Sequence, residues 1–308
     1  AFLISLVGWL YRATMATTNN PAAFKMTSEI SFKTTTITFS HSLLVIRAIS
    51  GREIMKFFNQ RGRLASALVR PMLWLLVFGT GFRNVLGISI IPPYETYTEY
   101  EVYMVPGLIG IVLLFQTMQS ALSMVYDREM GVMRLLLTAP MPRWYLLFAK
   151  LVAAAFLSML QAYTFLLICL VFGVWLPWQA WLYILPAMFA GAVMLGSVGL
   201  LLSVYVKQLE NFAGTMNFVI FPMFFISSAL FPIWKLRESG AQWGEWLFWL
   251  ANINPFTHVV ELIRFAAYGK FNGISLVVVL SVAAVFFLLA TVGYDPQRGM
   301  LRRPGGPV

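Results

Sequence analysis

The sequence predicts an all-α membrane protein with six transmembrane helices, and three observations carry that prediction. Of its 308 residues, 59% are apolar, 16% aromatic and only 11% charged, against about half apolar and a quarter charged in soluble domains. Charged residues are missing from several long stretches, most exceeding the ~20 residues a helix needs to cross hydrocarbon. Lys and Arg gather at the flanks of those stretches and favour one side. A soluble enzyme, a disordered tail and a coiled coil are all excluded.

The first expected span, residues 64–82, contains Arg70, whose long side chain can reach back to the interface. The second covers residues 102–126, 25 residues without a charge. Residues 151–206 hold no Asp, Glu, Lys or Arg over 56 positions, so this stretch must fold back once. Its hinge falls at Trp175, Pro177, Trp178, Gln179 and Trp181, where Pro breaks the helix and Trp favours the headgroup boundary. Residues 211–234 and 274–294 supply the fifth and sixth spans, 24 and 21 residues long. An even number puts both termini on one side, and that side carries 17 of the 22 basic residues. The other side keeps Arg83, Lys235, Arg237, Arg264 and Lys270, balanced by Glu95, Glu99, Glu101, Glu238, Glu245 and Glu261. Both termini are therefore expected in the cytoplasm. The net charge of +10 reads as a topology signal and a means of touching anionic lipid, not as a nucleic-acid surface.

Outside the six-span region, residues 64–294, three flanking segments are expected. Residues 1–41 read as a flexible leader rich in Thr, Ser and Asn; its first ten residues are apolar but too short to span, and Arg12 follows them, the wrong charge order for a signal peptide. Met15 and Met26 are alternative starting residues. Residues 42–63 form an amphipathic connecting helix, with Leu43, Ile46, Ile49, Ile54 and Phe57 on one side and Arg52, Lys56, Asn59 and Arg63 on the other. Such a helix lies on the inner leaflet or, on the blander reading, is solvated against a soluble partner; Arg47 and Arg61 fall near its apolar sector. Residues 295–308 make a basic cytoplasmic tail.

Two polar segments stand out. In residues 127–143 charge returns abruptly with Asp127, Arg128 and Glu129; Gly131 can release the helix from its axis; Arg134 precedes the apolar ridge Leu135, Leu136 and Leu137; and Pro140 and Pro142 stop the chain before Arg143. This short protrusion suits docking to another protein, or is a plain positive-inside turn. Residues 235–273 are long for a loop yet rich in aromatics, which suggests that the segment dips back toward the bilayer. The turn at Asn252, Asn254 and Pro255 should then be buried against other spans or a cavity. Glu261 and Arg264, at i and i+3, can pair on a helix, either to close that face or to act on a cargo.

The remaining chemistry is sparse. Cys169 is the single cysteine and lies in the third span. His41 and His258 lack metal-ligand spacing, so no metal site is expected. Ser227 or Ser228 with His258 is the only candidate pair for an intramembrane protease. A proton- or sodium-coupled carrier would want mid-membrane carboxylates, whereas Asp127 and Glu210 lie at edges; charge-free span interiors suit an amphiphilic or lipid-like cargo. Ala187 with Gly191 and Ala192 with Gly196 allow close helix approach, within one chain or between copies.

Val105, Pro106, Gly107, Ser120, Asp127, Arg128, Glu129, Gly131, Pro140 and Lys150, followed by Phe231, Pro232, Asn254, Pro255 and Arg264, resemble the permease subunit of type-2 ABC transporters over residues 42–294. The family includes drug, lipo-oligosaccharide and polysaccharide exporters. The resemblance implies a coupling helix at Asp127 to Arg143 that docks an ATPase subunit, and re-entrant external helices before the last span. It also implies a homodimer or a pair of related permeases. Arg134 stands where relatives often carry Glu, and Ala229 where many carry Gly. The runs at residues 91–95 and 207–212 further resemble permeases found beside pyrroloquinoline-quinone-dependent alcohol dehydrogenases, which implies a bacterial inner membrane. No phosphate-binding Gly-x-x-x-x-Gly-Lys-Ser/Thr occurs in the chain, so ATP and Mg belong on the partner.

Overall fold

The computed structural model describes residues 39–59, 62, 69, 71–77, 93–94, 100–131, 142–206, 208–238 and 243–294. Residues 1–38 of the leader, the basic tail, Arg63, Arg70, Arg134 and Pro140 lie outside the described residues, as do the side chains of Lys56 and Arg143; residues 39–41, expected in the leader, are instead the first turn of the connecting helix. The chain divides into units Ala1–Ser42 and Leu43–Val308, and all sites below lie in the second.

The described elements are α1 (Phe39–Asn59), α2 (Tyr100–Glu129), α3 (Arg143–Val171), α4 (Ala180–Tyr205), α5 (Leu209–Phe225), α6 (Trp234–Glu238), α7 (Gly244–Ile253), α8 (Pro255–Ala267) and α9 (Gly273–Gly293). Four of them, α2, α3, α4 and α9, are long and apolar enough to cross a membrane. At 1.5 Å per residue, α2 runs about 45 Å and α9 about 31 Å. The expected α3–α4 reversal falls where the prolines and tryptophans place it. Gly173, with φ +80°, adopts the left-handed cap conformation; Val174 N–H donates to Cys169 C=O at 3.0 Å, and Trp175 and Trp178 are exposed.

α4 is the centre of the bundle and packs on α2, α3, α8 and α9. Small residues make that possible. A Cβ on Gly191 would lie 2.5 Å from Val259 of α8, and one on Gly196 would lie 2.6 Å from Leu151 of α3. The small-residue spacing of α4 therefore serves packing within the chain. α2 and α4 are largely buried along their apolar windows, whereas α9 buries only 22% of its own; its exposed Ile274, Val277, Leu288 and Val292 suit contact with hydrocarbon.

The fifth span differs from its sequence reading. The uncharged run continues to residue 234, but the helix stops at Phe225 after 17 residues, about 25 Å against ~30 Å of hydrocarbon. Pro222 lies in its last turn, and the carbonyls beyond are taken by side chains instead of by further helix. Asn254 Nδ2 donates to Met223 and Ile226, Arg264 to Ser228 at 2.8 Å, and Tyr100 to Leu230 at 2.6 Å. Buried irregular backbone is stable only with such partners. Of the expected first span, residues 69 and 71–77 are described and helical; Trp74 meets Phe224 of α5 edge-on at 4.9 Å.

Candidate functional site

The charged residues singled out in the sequence collect at the two ends of α2. Asp127 and Tyr103 are 24 positions apart on this helix, about 36 Å along its axis.

At the C-terminal end, Asp127 is 2% exposed, at a helix terminus whose dipole disfavours a carboxylate. Two cations offset that. Arg52 Nη2 of α1 reaches Asp127 Oδ2 at 2.7 Å, and Lys150 Nζ of α3 reaches the same oxygen at 3.1 Å. Arg52 also pairs with Glu53 at 2.9 Å. Burial alone would lower the Arg52 pKa, but Glu53 and Asp127 more than offset it, and the net direction is upward. Arg128 points the other way, donating to Ser203 and Val206 C=O at 2.8 and 2.9 Å, and so caps the C-terminus of α4. Glu129 accepts from Leu209 N–H at 2.8 Å, the first amide of α5, where Gln208 provides no side-chain cap; a carboxylate is favourable there. Gly131 ends the run with φ +72°, and its N–H donates to Arg128 C=O. Three successive residues thus bind α2 to α1, α3, α4 and α5.

The connecting helix presents its apolar residues inward as its periodicity predicts. Ile49 packs with Ala149 and Ala153 of α3, and Phe57 is buried. Arg52 departs from the solvated side assigned to it, because Asp127 offers a buried anion within reach. Pro142 caps α3 with extended backbone, and Arg143 is the first helical residue. The Arg52–Asp127–Lys150 cluster was not assembled by sequence reasoning. Its signal is that Asp127 and Lys150 border charge-free stretches on the same side, at one level and with opposite signs.

At the other end of α2, the α7–α8 pair enters the bundle and turns back at Asn254–Pro255. Val259 meets Gly191 while Gly269 meets Tyr183, so the pair penetrates roughly 16 Å along α4 from its Ala180 end. Asn254 Oδ1 accepts from Phe256 N–H at 3.0 Å and Pro255 occupies the first helical position, the usual start of a capped helix. The same side chain closes α5, so this one residue joins two helix ends. Glu261 and Arg264 pair as their spacing predicts. Arg264, 2% exposed, also lies 4.0 Å from the Tyr103 ring centroid; burial lowers its pKa, Glu261 and the neighbouring tyrosines raise it further, and the net direction is upward. Gly107 permits the close approach of α2: a Cβ there would sit 2.0 Å from Ala229 C=O.

Pro232 is buried and lines a cleft of about 310 Å³ with Tyr94, Trp234, Thr257, Glu261 and Arg264. His258 joins neither Ser227 nor Ser228. Its Nδ1 lies 3.4 Å from Ser275 Oγ and its Nε2 2.9 Å from Asn252 C=O, while Ser227 Oγ donates to Phe224 C=O at 2.6 Å. The serine–histidine pair considered for a protease is therefore not formed.

Residues 45–268 match the family described as ABC-2 type transporter. A protein of Cyanophora paradoxa named transport permease ycf38 is 25% identical over 248 residues, 78% of this chain and 79% of that one. The inner membrane transport permease YadH of Escherichia coli is 22% identical over 250 residues, 80% of this chain and 91% of its own. YbhR of Escherichia coli, named a multidrug ABC transporter permease, is 26% identical over 176 residues, 55% of this chain and 45% of its own.

Proposed function

We propose that this chain, which belongs to the ABC-2 type transporter family, is the membrane permease of an ATP-driven exporter that works as a dimer with separate ATPase subunits and moves an amphiphilic or lipid-like cargo. A multi-pass permease of this family is a transporter subunit and not itself an ATPase. The finer reading places both termini and the Asp127 junction on the cytoplasmic side of a bacterial inner membrane, with the α7–α8 pair re-entering from outside.

The observation that carries the mechanism is the Asp127–Glu129 junction. A push delivered to the segment between Gly131 and Arg143 reaches α2 directly and, through two ion pairs and three capping hydrogen bonds, reaches α1, α3, α4 and α5. ATP closure beneath one point would thereby move most of the bundle as a unit. By sequence, Arg134, Pro140 and Pro142 belong to the segment that would receive the push, and Lys56 and Arg63 are among the basic residues of the connecting segment that suit anionic lipid. Amphiphilic cargo is supported by the absence of Asp, Glu, Lys and Arg from residues 151–206 and 274–294.

The test is reconstitution in nanodiscs with the ATPase encoded beside this chain. The permease should bind that ATPase and raise its hydrolysis, and Gly131→Ala, strained at a positive φ, should abolish the stimulation while leaving insertion intact. Stimulation unchanged in the variant would contradict the coupling role; no ATPase capture at all would contradict the export reading.

A further inference from the structure

The cleft beside Arg264 contains polar atoms that no protein group satisfies. Tyr94 Oη, Thr257 Oγ1 and Arg264 Nε are all buried without a hydrogen-bond partner, on residues 5%, 2% and 2% exposed, and all three residues line the cleft. Leaving such groups empty is costly. A volume of about 310 Å³ holds the equivalent of about ten waters, far more than three atoms need, and matches the lower end of small-molecule sites, ~300 Å³.

The chemistry of the walls selects the occupant. Arg264 has turned one terminal nitrogen to Glu261 and the other to Ser228 C=O, so the outer fork that recognises carboxylate or phosphate is already engaged, and Nε is its nitrogen without a partner. Its charge is cancelled by Glu261, which would repel an anion as Arg264 would repel a cation. What remains are hydroxyls that both give and accept, the unspent N–H donors of Arg264, a carboxylate able to accept, and the ring of Trp234. That set fits an uncharged, hydroxyl-rich group. On the rim, Ile274 is 77% exposed, with Val277 64% exposed one turn further along α9 and Ile253 73% exposed at the end of α7, an apolar track for a tail.

We propose that this cleft binds the neutral, hydroxyl-rich headgroup of an amphiphile, a glycosyl lipid, with its acyl chains lying along α9. The proposal deepens the export reading above and rests on it for the outward placement of the cleft and for the amphiphilic cargo.

The test uses the full chain in phosphatidylcholine nanodiscs, with retained lipid counted by native mass spectrometry against the mole fraction of monoglucosyl diacylglycerol. Saturable retention is expected, and Tyr94→Phe and Thr257→Val should each weaken it about five- to tenfold, the scale of one neutral hydrogen bond. Thr257→Val should not lower thermal stability, since Thr257 Oγ1 has no protein partner to lose, and it is the variant that separates binding from folding, because Tyr94 also faces Arg264. No saturable retention, retention indifferent to both substitutions, or preferential retention of phosphatidylglycerol would each overturn the proposal. Methyl β-glucoside in solution should compete only weakly; competition equal to the lipid would overturn the amphiphile assignment in favour of a soluble sugar. ATPase stimulation measured on the same preparation separates the two readings. Stimulation without glucolipid binding removes only this site, and glucolipid binding without stimulation removes only the export mechanism.

Discussion

The two ends of α2 use buried charge in opposite ways. At the C-terminal end, one carboxylate is shared by two cations from different helices, and its neighbours cap two more. At the N-terminal end, the ion pair is internal to α8, and Arg264 spends its remaining capacity on a broken backbone and an aromatic face beside an open cleft. Removing one partner of a buried pair is far costlier than the pair's net worth. The first arrangement therefore ties four helices to α2, while the second stabilises irregular backbone and leaves room beside it.

The largest expected effect is at the shared carboxylate. Asp127→Asn leaves Lys150, whose side chain is 11% exposed, without its anion, and should cost about 3–5 kcal/mol, seen as a large drop in melting temperature in nanodiscs. Glu261→Gln should cost less, roughly 1–3 kcal/mol, because Arg264 keeps Ser228 C=O and the Tyr103 ring. Equal losses in the two variants would erase the contrast. Asn254→Ala removes a cap and two carbonyl partners and should cost about 1–2 kcal/mol; amide exchange should rise at residues 223–228 and stay unchanged near Asp127.

Alkaline pH separates the ends by a smaller margin. Burial pushes the Tyr268 hydroxyl up from 10 to about 12, with Arg264 opposing. A raised folded-state value means the contribution is complete below pH 10 and is lost as pH climbs from 10 to about 12. Arg52 is likewise raised above its ordinary value by Glu53 and Asp127, so its own contribution persists through that window. Exchange protection should therefore decline first around α8 between pH 10 and 12, and Tyr268→Phe should suppress that decline.

Much of this was legible in local patterns. The α3–α4 hinge follows from Pro177 and its tryptophans, the end of α2 from Gly131, and the inward turn from Asn254–Pro255 in an aromatic segment too apolar for a loop. The Glu261–Arg264 pair follows from helical spacing. The break in α5 was not legible: an uncharged run records what lipid or protein tolerates, not where the helix ends, and the groups that end it, Asn254, Arg264 and Tyr100, are distant in sequence. For the same reason Arg52 was read as solvated. Helical periodicity assigns a face, but a long side chain can leave that face for a buried anion on another helix.

The opposition of the two ends across a membrane is tested most directly by thiol accessibility in intact cells. Cys169 is buried and gives a silent background, whereas Met130 is 63% exposed and Glu238 is exposed, so single cysteines at those two positions report one end each. An impermeant maleimide should label Glu238→Cys in whole cells and Met130→Cys only after permeabilisation; labelling of both, or the reverse order, would contradict the account.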